Sequence, residues 1–265
     1  MDSAFAWSLY DLIHPVLLVL PRILAAMFVL PIFPLDLFSG LVRTSVAISL
    51  GLVLYPMAQT HVGLVDQSGL AWTFMLFKEI FIGSCIGYAF GAPLWALEGM
   101  GRLIDNQTGV SLAQSFDPFG GHEGGPTAPL LVNLGLFVLV TGGGLNALLS
   151  VLYESYNLWP LGSALPQPTF SLPTYAGDQM DSIMQFTVRL AAPIILMLVF
   201  AELSLGLINR VARQFNVFFF SMPLKGSLAV LLLLIVMSNV ADLVRMEVVN
   251  WPHQLQMLKG ATNSH

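Results

Sequence analysis

The amino-acid sequence predicts an all-helical membrane protein. Apolar residues make up 56% of the 265-residue chain and charged residues only 9%, and the mean hydropathy is +0.77. Soluble domains carry roughly 25% charged residues, so this composition excludes a freely soluble enzyme. The apolar residues form continuous runs without the alternation that is typical of lipid-facing strands. The runs therefore favour helices over strands.

Six apolar runs supply the expected helices, because a helix needs about 20 residues to cross a hydrocarbon core. The runs are 13–33, 41–55, 74–97, 130–152, 183–208 and 228–244. The second and sixth are short, so each is either a span, a half-spanning hairpin arm or a buried assembly helix. Between the runs lie three polar connections, at 98–129, 153–182 and 209–226. Together they predict a single membrane domain over residues 1–265.

Several of these helices are expected to be bent and closely packed. Prolines lie inside three of the runs, at positions 15, 21, 31, 93 and 193, and each one removes a backbone donor and bends its helix. In lipid the freed carbonyl groups need protein neighbours. Gly83, Gly87 and Gly91 form two overlapping GxxxG steps on one helix face, where a second backbone can approach closely. This glycine seam joins either another subunit or another helix of the same chain.

Charged residues inside the runs are informative, because each is expensive in lipid and needs a partner or water. They are Arg22, Arg43, Lys78, Glu79, Arg189 and Glu202. Lys78 and Glu79 lie near the start of a run, so their side chains are expected to reach the membrane surface. Glu202 lies deeper in its run and is expected to be a buried charge. It forms either a structural contact with a basic residue or a proton-relay or substrate site, and the lone acid favours the contact.

The residues that could perform chemistry lack the partners that each reaction requires. Ser111 near His122 is a poor match to a serine nucleophile and its base, and Pro126 stands where a zinc protease of the HExxH type needs its second histidine. Cys85 is the single cysteine, which excludes an intrachain disulfide and a thiolate metal site. The scattered basic residues form no stripe for nucleic acid. We therefore expect no enzyme activity, no cofactor or metal, and no nucleic-acid partner.

Two sequence motifs resemble those of a known family. The first is Asp105-Asn-Gln-Thr-Gly109-Val-Ser-Leu-Ala113 with Phe116-Asp117-Pro118. The second runs from Gly206 to Phe218 and continues as Ser221-Met-Pro-Leu-Lys225. In this order on six apolar runs, they resemble the T/FliR family, the export-gate membrane proteins of type III secretion systems and flagella. The residues of the second motif are Arg210, Arg213, Gln214, Asn216, Phe218, Pro223 and Lys225; Arg213 departs from the family, which often has proline there.

The resemblance implies an assembly of several proteins. Family members form helical hairpins and join two companion small hydrophobic subunits, of the R/P type and the S/Q type, in a ring-like export gate in the bacterial inner membrane. The gate contacts the U/FlhB-type switch protein, which sets substrate order. Unfolded secreted proteins in transit pass through its pore. Members also lie partly above the bilayer plane toward the periplasm, which would accommodate the short second and sixth runs.

The segment 109–119 is the expected plug of that pore. Its small and polar residues are poorly suited to lipid, whereas Leu112 and Phe116 are four residues apart and lie on one face if the turn is helical. Apolar side chains at a constriction can seal a pore by excluding water. Flagellar members carry two phenylalanines at the places that here hold Leu112 and Ser115, so the sealing role is expected to fall on Leu112 and Phe116. The expected plug residues are Leu112, Ser115, Phe116, Asp117 and Pro118.

The injectisome branch of the family is favoured over the flagellar branch. The stretches that resemble injectisome members are Tyr153-Glu-Ser-Tyr156 with Trp159-Pro160, Glu202, and Ser221-Met222-Pro223. A flagellar export-gate subunit is the alternative within the family. A secondary transporter of a small solute is the alternative from a different class. It predicts inverted repeats with broken helices, and residues 1–130 and 131–265 show no such repeat.

Overall fold

The computed structural model describes residues 3–32, 39–62, 69–110, 125–161, 172–211 and 217–260. Every regular element in these ranges is a helix. In chain order they are α1 (Ser3–Val29), α2 (Gly40–Val53), α3 (Tyr55–Val62), α4 (Gly69–Thr108), α5 (Thr127–Thr141), α6 (Gly144–Leu158), α7 (Leu172–Val211) and α8 (Val217–Gly260). The apolar runs of the sequence lie mainly in these helices, so the predicted all-helical fold is confirmed.

Within the described ranges, three helices are long and apolar enough to cross a membrane. These spans are Trp72–Thr108 in α4, Met180–Val211 in α7 and Phe220–Met246 in α8. A fourth span results if α5 and α6 together form one broken span, while Pro15–Val29 of α1 and the whole of α2 are apolar but shorter. The chain thus has the predicted set of hydrophobic helices, but not all six runs qualify as spans.

Two runs differ from their predicted form. The sixth is not a short arm, because α8 continues on both sides of residues 228–244. The run 130–152 is not one helix, because it breaks between Thr141 and Gly144. The reason is the glycine triplet at 142–144: Gly143 has a φ of +83°, a left-handed conformation that costs glycine little and other residues more. The triplet ends α5 and starts α6.

The helices also extend into the predicted polar connections. Helix α4 continues to Thr108, α6 continues to Leu158, and α7 begins at Leu172. Prolines of the runs are accommodated inside the long helices, with Pro93 in α4 and Pro193 in α7. The connections between helices are therefore shorter than the polar composition predicts, since helical turns with polar side chains look like loops in the sequence.

The chain divides into two compact units, and α4 contributes to both. The first unit comprises Met1–Gly91, Gly144–Pro173 and Val249–His265, and the second comprises Ala92–Gly143 and Thr174–Val248. In the first unit, α1 packs against α2 and α3. Its buried core consists of Leu18, Val19, Ile23, Ala26, Met27, Ala47, Leu54, Ala58, Met75, Leu152, Tyr156 and Leu161.

The second unit exposes long apolar faces on α7 and α8. The large exposed side chains of these two spans include Leu196, Phe200, Leu203, Leu207, Leu231, Leu234 and Ile235. Apolar surface of this extent is unusual on a soluble monomer and marks contact with lipid or with other proteins. These apolar faces therefore suit contact with lipid or with other proteins.

Candidate functional site

The structure describes part of the predicted site. The expected plug residues Leu112, Ser115, Phe116, Asp117 and Pro118 lie outside the described residues, as do Arg213, Gln214 and Asn216 of the second motif. Phe218 lies in α8, but its side chain is outside the described set. Arg210 lies in the last turn of α7 and is exposed, as is Pro223 in α8. Lys225 is buried. The structure therefore describes only Gly109 and Val110 of the plug segment, together with the helices that flank the second motif.

Asp105 lies near the end of α4 and is only 2% exposed. Its Oδ2 atom accepts hydrogen bonds from the backbone N–H of Thr127, at 3.2 Å, and from that of Ala128, at 3.4 Å. These two residues begin α5, so a buried carboxylate on α4 caps the N-terminus of α5, where the helix dipole favours negative charge. We call this arrangement of Asp105 with the two N–H groups the Asp105 clasp.

Glycines allow the close approach around the clasp. A Cβ atom at Gly125 would overlap the carboxylate of Asp105, and a Cβ atom at Gly101 would lie 2.6 Å from the backbone nitrogen of Ala128. Gly109 follows the last residue of α4 with a φ of +83°, which L side chains rarely adopt. The segment between α4 and α5 thus starts and ends at positions that only glycine fills without a shift.

Glu202 on α7 is exposed on the surface of this chain, so its burial stays a prediction for the assembled complex. Its side chain is 58% exposed, because it lies on the outward face of α7 beside exposed Leu203. One carboxylate oxygen accepts a hydrogen bond from the side-chain amide of Gln107 at 3.0 Å. The other oxygen lies 3.8 Å from the ammonium nitrogen of Lys225. The contact with a basic residue that the sequence favours is therefore present between helices of the second unit.

The acceptor at position 202 can be tested by two substitutions. Glu202→Gln keeps an oxygen that accepts from Gln107, whereas Glu202→Leu removes it. Hydrogen bonds between membrane helices average about 0.6 kcal/mol, and exposed ion pairs contribute about 0–1 kcal/mol, so we expect a modest effect. The Leu variant should assemble less well than the Gln variant, as measured by co-purification with companion subunits. Ser204→Leu, on the same exposed stretch, is the matched control; equal assembly of all three variants would contradict the prediction.

The first unit contains a charge cluster formed by Arg22, Lys78 and Glu79. The guanidinium of Arg22 binds Glu79 through two hydrogen bonds, of 2.7 and 3.0 Å, and Lys78 Nζ lies 3.1 Å from the same carboxylate. Arg22 also donates to the Ser155 hydroxyl at 2.9 Å and lies 3.8 Å from the centre of the Tyr156 ring. The side chains of Arg22 and Glu79 are fully buried and that of Lys78 nearly so. The expectation that Lys78 and Glu79 reach the membrane surface is wrong, because Arg22 on α1 provides the partner inside the protein.

The charge cluster also binds the backbone that follows α6. Arg22 donates to the carbonyl oxygen of Trp159 at 3.1 Å. Lys78 donates to the carbonyl oxygens of Pro160, at 3.0 Å, and Leu161, at 3.1 Å. Two cations face one carboxylate, so the cluster has an excess of positive charge. The carbonyl oxygens carry partial negative charge, and their hydrogen bonds compensate the buried cations. The cluster thereby joins α1, α4 and the end of α6.

The glycine seam joins two helices of the first unit. A Cβ atom at Gly83 would overlap the backbone carbonyl oxygen of Arg22, and a Cβ atom at Gly87 would lie 2.7 Å from the carbonyl oxygen of Ala26. Gly91 is buried. At Gly83 and Gly87 the partner is therefore α1 of the same chain, which is one of the two alternatives that the sequence leaves open.

These features define a helical membrane protein with several hydrophobic helices. The charges of the Arg22 cluster and the carboxylate of Glu202 bind other protein groups, and its longest helices leave apolar faces uncovered. In the part of the chain that the structure describes, no three His, Cys, Asp or Glu side chains are grouped as metal ligands would be. The chain belongs to the bacterial export proteins, family 1, whose model matches residues 13–250.

Individual relatives agree with this family. Yop proteins translocation protein T of Yersinia pestis is 34% identical over 219 residues, which cover 82% of this chain and 84% of that protein. Surface presentation of antigens protein SpaR of Salmonella typhimurium is 30% identical over 241 residues, covering 91% and 89%. Flagellar biosynthetic protein FliR of Caulobacter vibrioides is 26% identical over 239 residues, covering 90% and 94%. The resemblance to the T/FliR family is confirmed.

Proposed function

We propose that the chain is an inner-membrane subunit of a type III secretion export apparatus and forms part of the gated pore for unfolded substrate proteins. The family match over residues 13–250 carries this proposal. The two secretion-system relatives are 34% and 30% identical to the chain, and the flagellar relative is 26% identical. This difference favours the injectisome branch. The chain acts as one export-gate domain and performs no covalent chemistry of its own.

The proposed partners are other export subunits. The exposed apolar faces of α7 and α8 suit packing against apolar helices of companion subunits of the R/P and S/Q types, with lipid covering the rest. The U/FlhB-type switch protein contacts the same gate in this proposal. Because α2 has only 14 residues and is too short to span a bilayer as a helix, part of the subunit would lie above the bilayer plane toward the periplasm.

The plug of the proposed pore is the segment 109–119. Its position between α4 and α5 supports this role, because both helix ends belong to one unit and are held together by the Asp105 clasp. A segment with fixed ends can occupy a pore and return to the same place after a substrate has passed. Leu112 and Phe116 would then form the apolar seal, which works by excluding water.

Ion leak through the assembled gate tests the plug. Deleting residues 112–116, or replacing Leu112 and Phe116 by Gly, should raise the conductance of cells or of planar bilayers severalfold, because the apolar seal is lost. Leu112→Met with Phe116→Leu keeps apolar side chains and is the matched control, which should not leak. Unchanged conductance of a deletion variant that still co-purifies with its companion subunits would overturn the plug assignment.

A further inference from the structure

We propose that a polar stripe on α4 faces the water-filled path of the export gate and contacts the unfolded protein in transit. The stripe consists of Glu98, Arg102 and Asn106, which are spaced by four residues and therefore share one face of the helix. This inference rests on the proposed function, and it names the surface of the chain that the substrate meets. The residues that carry it all lie in described helices of the second unit.

The polar stripe is open on the surface of the chain. The side chain of Arg102 is 65% exposed and that of Glu98 is 35% exposed, and Asn106 is exposed as well. The other side of the same turns is packed, because Met100 and Ile104 are fully buried. The last turns of α4 thus have a packed apolar side and an open polar side.

Two hydrogen bonds show where the polar stripe lies along the second unit. The hydroxyl of Thr187 donates to the carbonyl oxygen of Ala96 at 3.3 Å, just before the stripe begins. The side-chain amide of Gln107 donates to Glu202 at 3.0 Å, just after the stripe ends. Both partners on α7 belong to the apolar span Met180–Val211. The stripe therefore lies beside a helix that is long and apolar enough to cross the membrane.

The helices beside the polar stripe are suited to lipid. At this level α7 exposes Leu196 and Phe200. Helix α5, which packs against α4 at Gly101, exposes Leu130 and Phe137. Lipid tails can cover these side chains, whereas a charged group at the same depth costs a few kcal/mol and faces either protein or a water-filled cavity. The stripe therefore faces away from lipid.

The polar stripe suits water better than a tightly packed partner. Arg102 donates two hydrogen bonds to Glu98, of 3.1 and 2.6 Å, so the two charges compensate each other, and Asn106 is neutral. A subunit that packed over this pair would remove its water, and the desolvation of an ion pair can exceed the attraction between its charges. In water the pair has no such cost and needs no charge from a partner.

The chemistry of the polar stripe also fits an unfolded polypeptide as the molecule that passes over it. Because the stripe has no net charge, it holds neither the acidic nor the basic segments of a substrate strongly. Passage through a pore requires binding that is weak enough for the passing molecule to leave again. Hydrogen bonds from Asn106 and Arg102 are available to any backbone, whatever its sequence, so the stripe discriminates little between substrates.

Cysteine labelling of the co-expressed complex in lipid nanodiscs tests whether the polar stripe faces water. Asn106→Cys and Arg102→Cys should react with a membrane-impermeant quaternary-ammonium methanethiosulfonate about tenfold faster than Phe200→Cys, because a thiol against lipid or protein does not ionise to the reactive thiolate. Phe200 is the matched control, since its 62% exposure in the chain is close to that of Arg102. The wild-type complex, whose chain has Cys85 as its one cysteine, gives the background. Labelling of the stripe as slow as that of Phe200→Cys would overturn the proposal.

Disulfide cross-linking tests whether this water belongs to the export path. The probe is a secreted protein of the same system, with a single cysteine and fused to a domain that cannot unfold, so that it stalls in the gate. Asn106→Cys should form a disulfide with the stalled chain, and Phe200→Cys should not. If the stalled chain co-purifies with the complex but the cysteine at 106 forms no disulfide at any probe position, the stripe lies outside the path and the inference is wrong. If the stalled chain does not co-purify at all, the proposed function itself is wrong.

Discussion

A Glu79→Leu variant should fail to accumulate in the assembled export apparatus. The substitution removes the carboxylate that binds Arg22, whose side chain is fully buried, and the neighbouring Lys78. Removing one partner of a buried ion pair costs about 3–5 kcal/mol, and the whole stability of a typical domain is about 5–15 kcal/mol. We therefore expect a large drop in the thermal midpoint of the purified complex and in the amount of subunit that co-purifies.

Two further variants distinguish the loss of a buried charge partner from the loss of any carboxylate. Glu98→Leu removes the partly exposed partner of Arg102 on the same helix, where the oxygen–nitrogen distance is 2.6 Å. Ion pairs open to solvent contribute about 0–1 kcal/mol. The double variant Arg22→Met with Glu79→Leu should regain much of the lost stability, since apolar replacement of a buried pair is often neutral. Lys78 keeps its two carbonyl acceptors in that variant. Equal yields of Glu79→Leu and Glu98→Leu would contradict the prediction.

The sequence predicts the helices better than it predicts their ends. Continuous apolar runs are sufficient to identify an all-helical chain, because each run must be buried in lipid or protein. The break after Thr141 is not predicted, although three glycines mark it in the sequence, since a glycine triplet is tolerated inside apolar helices as well. The predicted ends of α4 and α6 are also wrong. Their last turns carry polar side chains, which in the sequence resemble those of a loop.

The charge cluster shows why partners are harder to predict than positions. Arg22 and Glu79 are both recognisable as charges inside apolar runs, but they are 57 residues apart. Neither run indicates that α1 packs against α4 near Glu79. A side chain that reaches the membrane surface is therefore the simpler expectation for Glu79. The glycines at 83 and 87 on the same helix are the one signal that could have suggested a close neighbour. Their GxxxG spacing predicts close packing but does not identify the partner helix.

Asp105 illustrates a different limit. The residue belongs to the first family motif, but its capping role depends on the start of α5, which is 22 residues further along the chain. Capping is usually recognised from a side chain next to the helix start, and Pro126 offers none. The two prolines around that start, at 126 and 129, are the only local sign that an acceptor must come from elsewhere.

Gly83→Ala and Gly87→Ala should each destabilise the subunit strongly. The added methyl group would overlap the Arg22 carbonyl oxygen at position 83, and would lie 2.7 Å from the Ala26 carbonyl oxygen at position 87. Overpacking in a well-packed interior typically costs about 1–3 kcal/mol, and the upper part of that range is expected because backbone atoms of α1 cannot rotate away as a side chain could. Gly206→Ala, in open space on α7, is the control, and the thermal midpoint of the complex is the measurement.

The two positions should differ in their coupling to the charge cluster. The carbonyl that blocks Gly83 belongs to Arg22 itself, so a shift of α1 that relieves the overlap also moves Arg22 away from Glu79. Residues that share a partner show non-additive effects, whereas well-separated ones add to within about 0.5 kcal/mol. Gly83→Ala combined with the Arg22→Met and Glu79→Leu pair should therefore cost less than the separate losses predict, because the ion pair is already gone. Gly87→Ala, which meets Ala26 one turn further along α1, should add more nearly independently. Full additivity at position 83 would show that the helices separate without disturbing the ion pair.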